Sequence, residues 1–289
     1  MAVYTHDTAP TEVIEADGIR FAYRRFGAEG GVPVVFTQHF MGNLDNHDPK
    51  ITDGLAQGRE VVLFDNTGVG LSSGPAPDTI AGMARDAASF IDVLGLTKVD
   101  LFGFSMGGHV AQQIAVHRPT LVRRLVLVGT GPRGGEGMAP LSPHVAQLFD
   151  QRDTLGEAMW LPIMFSPSAR SQAAGRAYVE RITARVRDRD ALVSAETIAA
   201  HRAAAAEWRR PEPCSVDYLR SINHPALVVN GSDDIVVPTV NSYHLQQRLR
   251  DAQLVLFPDS NHGSHFQYSD RFLRIVTDFL DVQPNEAVG

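Results

Sequence analysis

The sequence predicts a doubly wound, mostly parallel α/β sheet with an inserted helical cap, on three observations. Short, near-continuous apolar runs recur along the chain: Val34-Val35-Phe36, Val61-Val62-Leu63-Phe64, Leu125-Val126-Leu127-Val128, Leu227-Val228-Val229 and Leu254-Val255-Leu256-Phe257. Parallel strands covered on both faces read this way, without polar alternation. Segments of helical periodicity lie between the runs, and strand-helix alternation builds an open sheet with helices on both faces. The alternation fails once, from about Gly131 to Asp217, an Ala/Arg-rich stretch with helical periodicity, no convincing strand, and prolines that read as stops (Pro140, Pro143, Pro162, Pro167, Pro211, Pro213). The core is therefore expected in residues 1–130 and 218–289, with the cap in 131–217.

The elements follow in chain order. Glu12-Val-Ile-Glu-Ala and Ile19-Arg-Phe-Ala-Tyr-Arg-Arg-Phe flank Asp17-Gly18 and alternate, which predicts an antiparallel edge hairpin with one wet face. After the first two apolar runs, Ile80, Met83, Ala84, Ala87, Phe90, Ile91 and Leu94 keep one helical face and stop at Gly95. Val99, Leu101 and Phe102 read as a buried strand, and Val110, Ala111, Ile114 and Ala115 as the helix that follows at once. Near the C-terminus Phe272, Ile275, Val276, Phe279 and Leu280 mark a last helix, and residues 283–289 are expected to fray.

Between the strand at 99–102 and its helix stands Gly103-Phe104-Ser105-Met106-Gly107, the G-x-S-x-G pattern. A serine at the tip of so sharp a turn needs neighbours without Cβ atoms two places to either side, because strand, turn and helix backbones crowd there. Its hydroxyl is then exposed, and the Met106 N–H at the helix start faces any negative charge that develops beside it. A plain Gly-rich turn with an N-capping serine would have the same five residues, so context decides.

Composition narrows the class. With 289 residues, 44% hydrophobic and 20% charged, the chain can bury one large core. A net charge of -7 argues against nucleic-acid or anionic-membrane partners, and the Arg185–Asp190 stretch alternates in sign rather than forming a basic block. One cysteine, Cys214, excludes an internal disulfide and fits a reducing compartment. The first residues show no basic-then-apolar leader and no apolar run reaches membrane-spanning length, so a cytoplasmic protein is expected.

A serine nucleophile needs a base, and the base an orienting carboxylate. In an open α/β sheet these groups hang from the carboxyl ends of strands. Asn230-Gly231-Ser232-Asp233-Asp234-Ile235-Val236-Val237-Pro238 follows one strand, and Pro258-Asp259-Ser260-Asn261-His262-Gly263 follows the next. A serine, then a carboxylate, then a histidine is an order that such folds use.

The strand pattern, the turn at Ser105, the Gly-x-x-Asp-x-x-x-Pro segment and the Asn-His-Gly segment resemble the α/β-hydrolase fold superfamily over nearly the whole chain. The layout is similar to its capped small-molecule branch of esterases, carbon-carbon bond hydrolases and cofactor-free haloperoxidases. The resemblance implies Ser105 as nucleophile, His262 as base and, at the third position after the glycine, Asp234 rather than Asp233 as acid. His265 is expected early in the last helix; an H-x-x-H metal site is disfavoured because no Cys or carboxylate clusters there at ligand spacing. The family keeps a His-Gly pair after its first parallel strand; here His39 matches and Phe40 replaces the glycine. The backbone N–H groups of Phe40 and Met106 are then the expected oxyanion donors, with the Phe40 ring at the pocket mouth. Asp65-Asn66-Thr67-Gly68-Val69-Gly70-Leu71-Ser72 resembles another loop of the superfamily and lacks the Gly-Lys-Ser/Thr of a phosphate loop. No cofactor and no metal are expected.

Serine at the turn suggests acyl transfer through an acyl-enzyme, where aspartate would suggest haloalkane or epoxide chemistry. The pocket is expected to include His39, which braces its loop, with Phe40, Trp160, Met164 and Phe165. Met159, Trp160, Leu161, Met164 and Phe165 either roof a small hydrophobic ester or lactone or form the core of the cap itself. Three functions fit: an ester or lactone hydrolase, a haloperoxidase, perhydrolase or carbon-carbon hydrolase with the same residues, and a non-catalytic receptor for a small ligand.

Overall fold

β1 (Glu12–Ala16) and β2 (Ile19–Gly27) form the expected hairpin. Asp17 and Gly18 both take positive φ, 51° and 77°, the backbone that a tight two-residue loop demands. The computed structural model describes residues 4–150 and 157–282. The tail expected at 283–289 lies outside the described residues.

Six more strands complete one sheet: β3 (Val34–Thr37), β4 (Glu60–Phe64), β5 (Val99–Phe104), β6 (Val122–Val128), β7 (Ala226–Gly231) and β8 (Ala252–Phe257). Their order is β1-β2-β4-β3-β5-β6-β7-β8, antiparallel from β1 to β4 and parallel beyond. All six residues of β5 are buried, so the central strand is covered on both faces, as its unbroken apolar run requires. β8, at the open edge, leaves Leu256 exposed.

Helices link the parallel strands: α1 (Pro49–Ala56), α2 (Ile80–Val93) and α3 (Met106–His117). In α2 the Thr79 hydroxyl caps the Gly82 N–H, the apolar face from Ile80 to Ile91 is buried, and Gly95 beyond the end takes φ 73°.

Among the described residues, four α-helices lie between β6 and β7: α4 (Pro143–Asp150), α5 (Glu157–Met164), α6 (Ala169–Ile182) and α7 (Ala195–Arg209). Pro143 and Pro162 do not act as stops. Pro143 opens α4, where a missing N–H goes unnoticed, and Pro162 lies inside α5, two residues from its end. The chain closes with α8 (Val240–Arg248), α9 (Ser264–Gln267) and α10 (Ser269–Asp281). His265 therefore lies in the short α9 rather than the last helix, because the chain bends at Tyr268 between them.

The insertion is fastened to the rest of the core by charge and stacking. Arg181 binds Asp48 in a fork at 2.7 and 2.6 Å, and the Tyr178 and Phe266 rings stack at 4.2 Å. Arg185 donates to the carbonyls of Asp7 and Ala9, both at 2.9 Å. The Asp190 N–H donates to Asp45, whose carboxylate also binds the buried Arg24 at 2.7 Å. Asp190 also lies beside Asp65. Burial and Asp190 hold the Asp65 carboxyl well above the usual range, while burial and Asp45 raise Asp190 to about 6.

Candidate active site

Ser105 stands between β5 and α3 with φ 55° and ψ −121°, a backbone that a non-glycine residue holds only under strain of about 1–3 kcal/mol. The flanking glycines show why the turn exists. A Cβ on Gly103 would lie 2.6 Å from the Gly107 carbonyl oxygen, and one on Gly107 would collide with the Thr37 carbonyl. Both clashes are with backbone that cannot swing aside.

His262 follows β8 and Asp234 follows β7. The His262 Nε2 lies 2.9 Å from Ser105 Oγ, and its Nδ1 lies 2.8 Å from Asp234 Oδ2. A carboxylate only accepts, so Nδ1 carries the hydrogen and Nε2 presents its lone pair to the serine hydroxyl. The other oxygen of Asp234 accepts from the N–H groups of Val236 and Val237, at 2.8 and 2.9 Å, which fixes the carboxylate plane. The three side chains are buried to within a few per cent: Ser105 6%, Asp234 6% and His262 2% exposed. Asp233 is exposed and accepts from Ser232 Oγ at 2.6 Å.

The two loops that carry Asp234 and His262 are locked together by Asn261, to which the sequence assigned no role of its own. Asn261 Oδ1 accepts from the N–H groups of Ile235 and His262, both at 2.9 Å, and its amide donates to the Pro162 carbonyl at 3.3 Å. Its position beside the histidine was the available signal. Gly231 lets these loops touch, since a Cβ there would meet the carbonyls of Ser260 and Asn261.

Met106 is the first residue of α3, so its N–H has no acceptor within the helix. The Phe40 N–H has no acceptor among the described residues either, and its ring sits at 5.1 Å from Phe149 in an edge contact. His39 Nδ1 donates to the Phe40 carbonyl at 2.9 Å, and burial lowers its pKa to about 4, so the ring is neutral at neutral pH. His265 is also buried, 4.6 Å from Phe104 and 3.8 Å from Phe266, with burial holding it well below the ordinary histidine value.

Ser105 opens onto two adjoining spaces. The smaller is lined by His39, Phe40, Met159, Trp160, Met164 and His262. The larger, about 350 Å³, is walled by Phe40, Met106, the Met138–Leu141 loop, Ala146 and Phe149 of α4, Arg202, Ala205 and Arg209 of α7, and Val236. Phe165 lines neither, which corrects its place among the pocket residues. Its ring packs against Gly175 and at 5.8 Å from Tyr178, inside the helical insertion, and Leu161 goes the same way. Leu161 in α5 and Phe165 just past its end face Gly175 of α6, whereas Trp160 of α5 faces His39 at 5.9 Å. The sequence reading also missed the α4 and α7 walls, although Arg202, Ala205 and Arg209 are spaced to share one helix face. Among the described residues no helix is long and apolar enough to cross a membrane.

A family model described as the alpha/beta hydrolase fold matches residues 32–268. An alpha/beta hydrolase fold protein from Chitinophaga pinensis, known as a solved structure, is 41% identical with a TM-score of 0.90, over 97% of this chain and 100% of that one. The 2-hydroxy-6-oxononadienedioate/2-hydroxy-6-oxononatrienedioate hydrolase 1 of Dechloromonas aromatica is 27% identical over 267 residues, 86% of this chain and 87% of that protein. Est816, an N-acyl homoserine lactone degrading enzyme, is 26% identical with a TM-score of 0.71, over 93% of this chain and 100% of that chain. With its family model, its sheet and its loops in agreement, the chain belongs to the α/β-hydrolase fold family and is a hydrolase enzyme.

Proposed function

We propose that the protein hydrolyses small carboxylic esters or lactones through an acyl-enzyme on Ser105. The observation that carries this reading is the unbroken chain Ser105 Oγ, His262 Nε2, His262 Nδ1, Asp234 Oδ2, with contacts of 2.9 and 2.8 Å. As Ser105 Oγ bonds to the substrate carbonyl carbon, its proton passes to His262 Nε2. Asp234 holds the ring and stabilises the imidazolium. The carbonyl oxygen gathers negative charge between the Phe40 and Met106 N–H groups, donors at no cost in reorganisation. The imidazolium then protonates the leaving alkoxide, and water, deprotonated by the same ring, releases the acid. The helical segment 131–217 acts as the cap over the core of 1–130 and 218–289, with Phe40, Trp160 and Met164 as apolar wall. The relative named as a lactone degrader is in keeping with this substrate class.

Turnover of p-nitrophenyl acetate and butyrate tests the reading. Wild type is expected to hydrolyse them, and Ser105→Ala to lose on the order of 10⁴-fold or more in kcat. Undiminished turnover by Ser105→Ala would refute it. The Dechloromonas relative is named for a hydrolase of an oxo-dioate, which favours a second reading in which the same three groups cleave a carbon-carbon bond beside a ketone. Product analysis separates the two, since that cleavage yields a carboxylic acid and a fragment protonated on carbon, with no alcohol.

A further inference from the structure

The larger cavity beside Ser105 is walled mainly by apolar groups, and Arg209 is set among them. It is the last residue of α7 and half-buried. Its Nε is buried with no hydrogen-bond partner among the described residues. Among the described residues, the acid whose charge reaches it, Asp234, is engaged with His262, Asp150 pairs with Arg202, and Glu207 in the same helix pairs with Arg133 at 2.7 Å. Burial lowers its pKa below the ordinary arginine value, with the Asp234 charge acting against that.

A guanidinium is a planar fork of five donors with no acceptor, and it stays protonated at any working pH. Removing it from water is unfavourable unless acceptors meet it. The negative end of the α7 dipole eases the charge but supplies no hydrogen bond to it here. A leucine or methionine would fill the same wall without that penalty. The fork therefore has a use when the cavity is filled. Arg202 lines the same cavity but differs, since it is exposed and held by Asp150 at 2.5 Å.

We propose that Arg209 is a specificity-determining anion subsite: the substrate is an ester or lactone that also carries a carboxylate, which the Arg209 fork holds while Ser105 meets the reacting carbonyl. This rests on the hydrolase reading above. A volume of about 350 Å³, near the low end of small-molecule sites, suits a short half-ester of a dicarboxylic acid.

The test compares two esters of equal acyl length, p-nitrophenyl hydrogen glutarate and p-nitrophenyl valerate. Wild type is expected to prefer the charged ester in kcat/KM by at least about tenfold, and Arg209→Gln to lower that preference by about 10²-fold. Arg209→Lys keeps the charge without the fork and should restore part of it. A wild-type ratio near one, an unchanged ratio in Arg209→Gln, or a collapse in Arg202→Gln instead would overturn the proposal. Calorimetry on Ser105→Ala with monomethyl and dimethyl glutarate separates this from the hydrolase reading. Tighter binding of the monomethyl ester, lost when Arg209→Gln is added, upholds the subsite even if neither nitrophenyl ester is turned over. Equal binding of the two overturns it.

Discussion

Asp234 is buried and accepts three hydrogen bonds, from the Val236 and Val237 N–H groups and from His262 Nδ1, whereas its neighbour Asp233 is exposed and accepts one from Ser232. Under the proposed mechanism the two positions must answer differently to the same change. Asp234→Asn removes the charge that holds the His262 tautomer, and kcat for a nitrophenyl ester is expected to fall on the order of 10⁴-fold. Asp233→Asn is expected to change kcat by less than about threefold, because its carboxylate is solvated. Steady-state kinetics on both variants checks this, and the reverse ranking would move the acid. Ser105, His262 and the Asp233-Asp234 pair could be read from the sequence because each lies in a short, strand-following segment with its own local pattern. Choosing between the two aspartates needed the family resemblance. Phe165 could not be placed, since apolar residues on a short helix look alike whether they face a pocket or a neighbouring helix.

At the level of elements, the strands and main helices were legible because apolar periodicity is a local signal. What fastens the insertion to the core was not, because those contacts join residues far apart in sequence. The segment between α6 and α7 brings Asp190 against Asp65 and Asp45, under a raised pKa of about 6 for Asp190 caused first by burial and then by the Asp45 charge. An acid with a raised folded pKa binds its proton more tightly in the folded protein than in the unfolded chain. Its contribution is intact below the ordinary value of 3.8 and is lost as pH climbs toward about 6. Asp190→Asn replaces this with an uncharged group that can donate to Asp65. The variant is expected to raise Tm by about 2–4 °C at pH 8 and to show no gain at pH 4, as read by scanning calorimetry. A gain that is larger at pH 4 would contradict the assignment.

Across the whole molecule, the sheet order puts the ends of β5, β7 and β8 on one side of the fold, so loops 105, 234 and 262 in the chain converge over one crevice. Asn261 and Gly231 hold the last two loops in register, a role that only the assembled sheet reveals. The same assembly decides the pocket: the insertion contributes Trp160 and Met164 on one side of Ser105 and Arg209 on the other. Sequence periodicity can put these on helices, but not over the serine. The convergence matters functionally only if Ser105 forms a covalent intermediate. The most direct measurement is mass mapping of the protein quenched during turnover of p-nitrophenyl butyrate. The account predicts one butyryl group on the peptide that contains Ser105, absent in Ser105→Ala; sustained turnover with no acyl adduct on that peptide would contradict it.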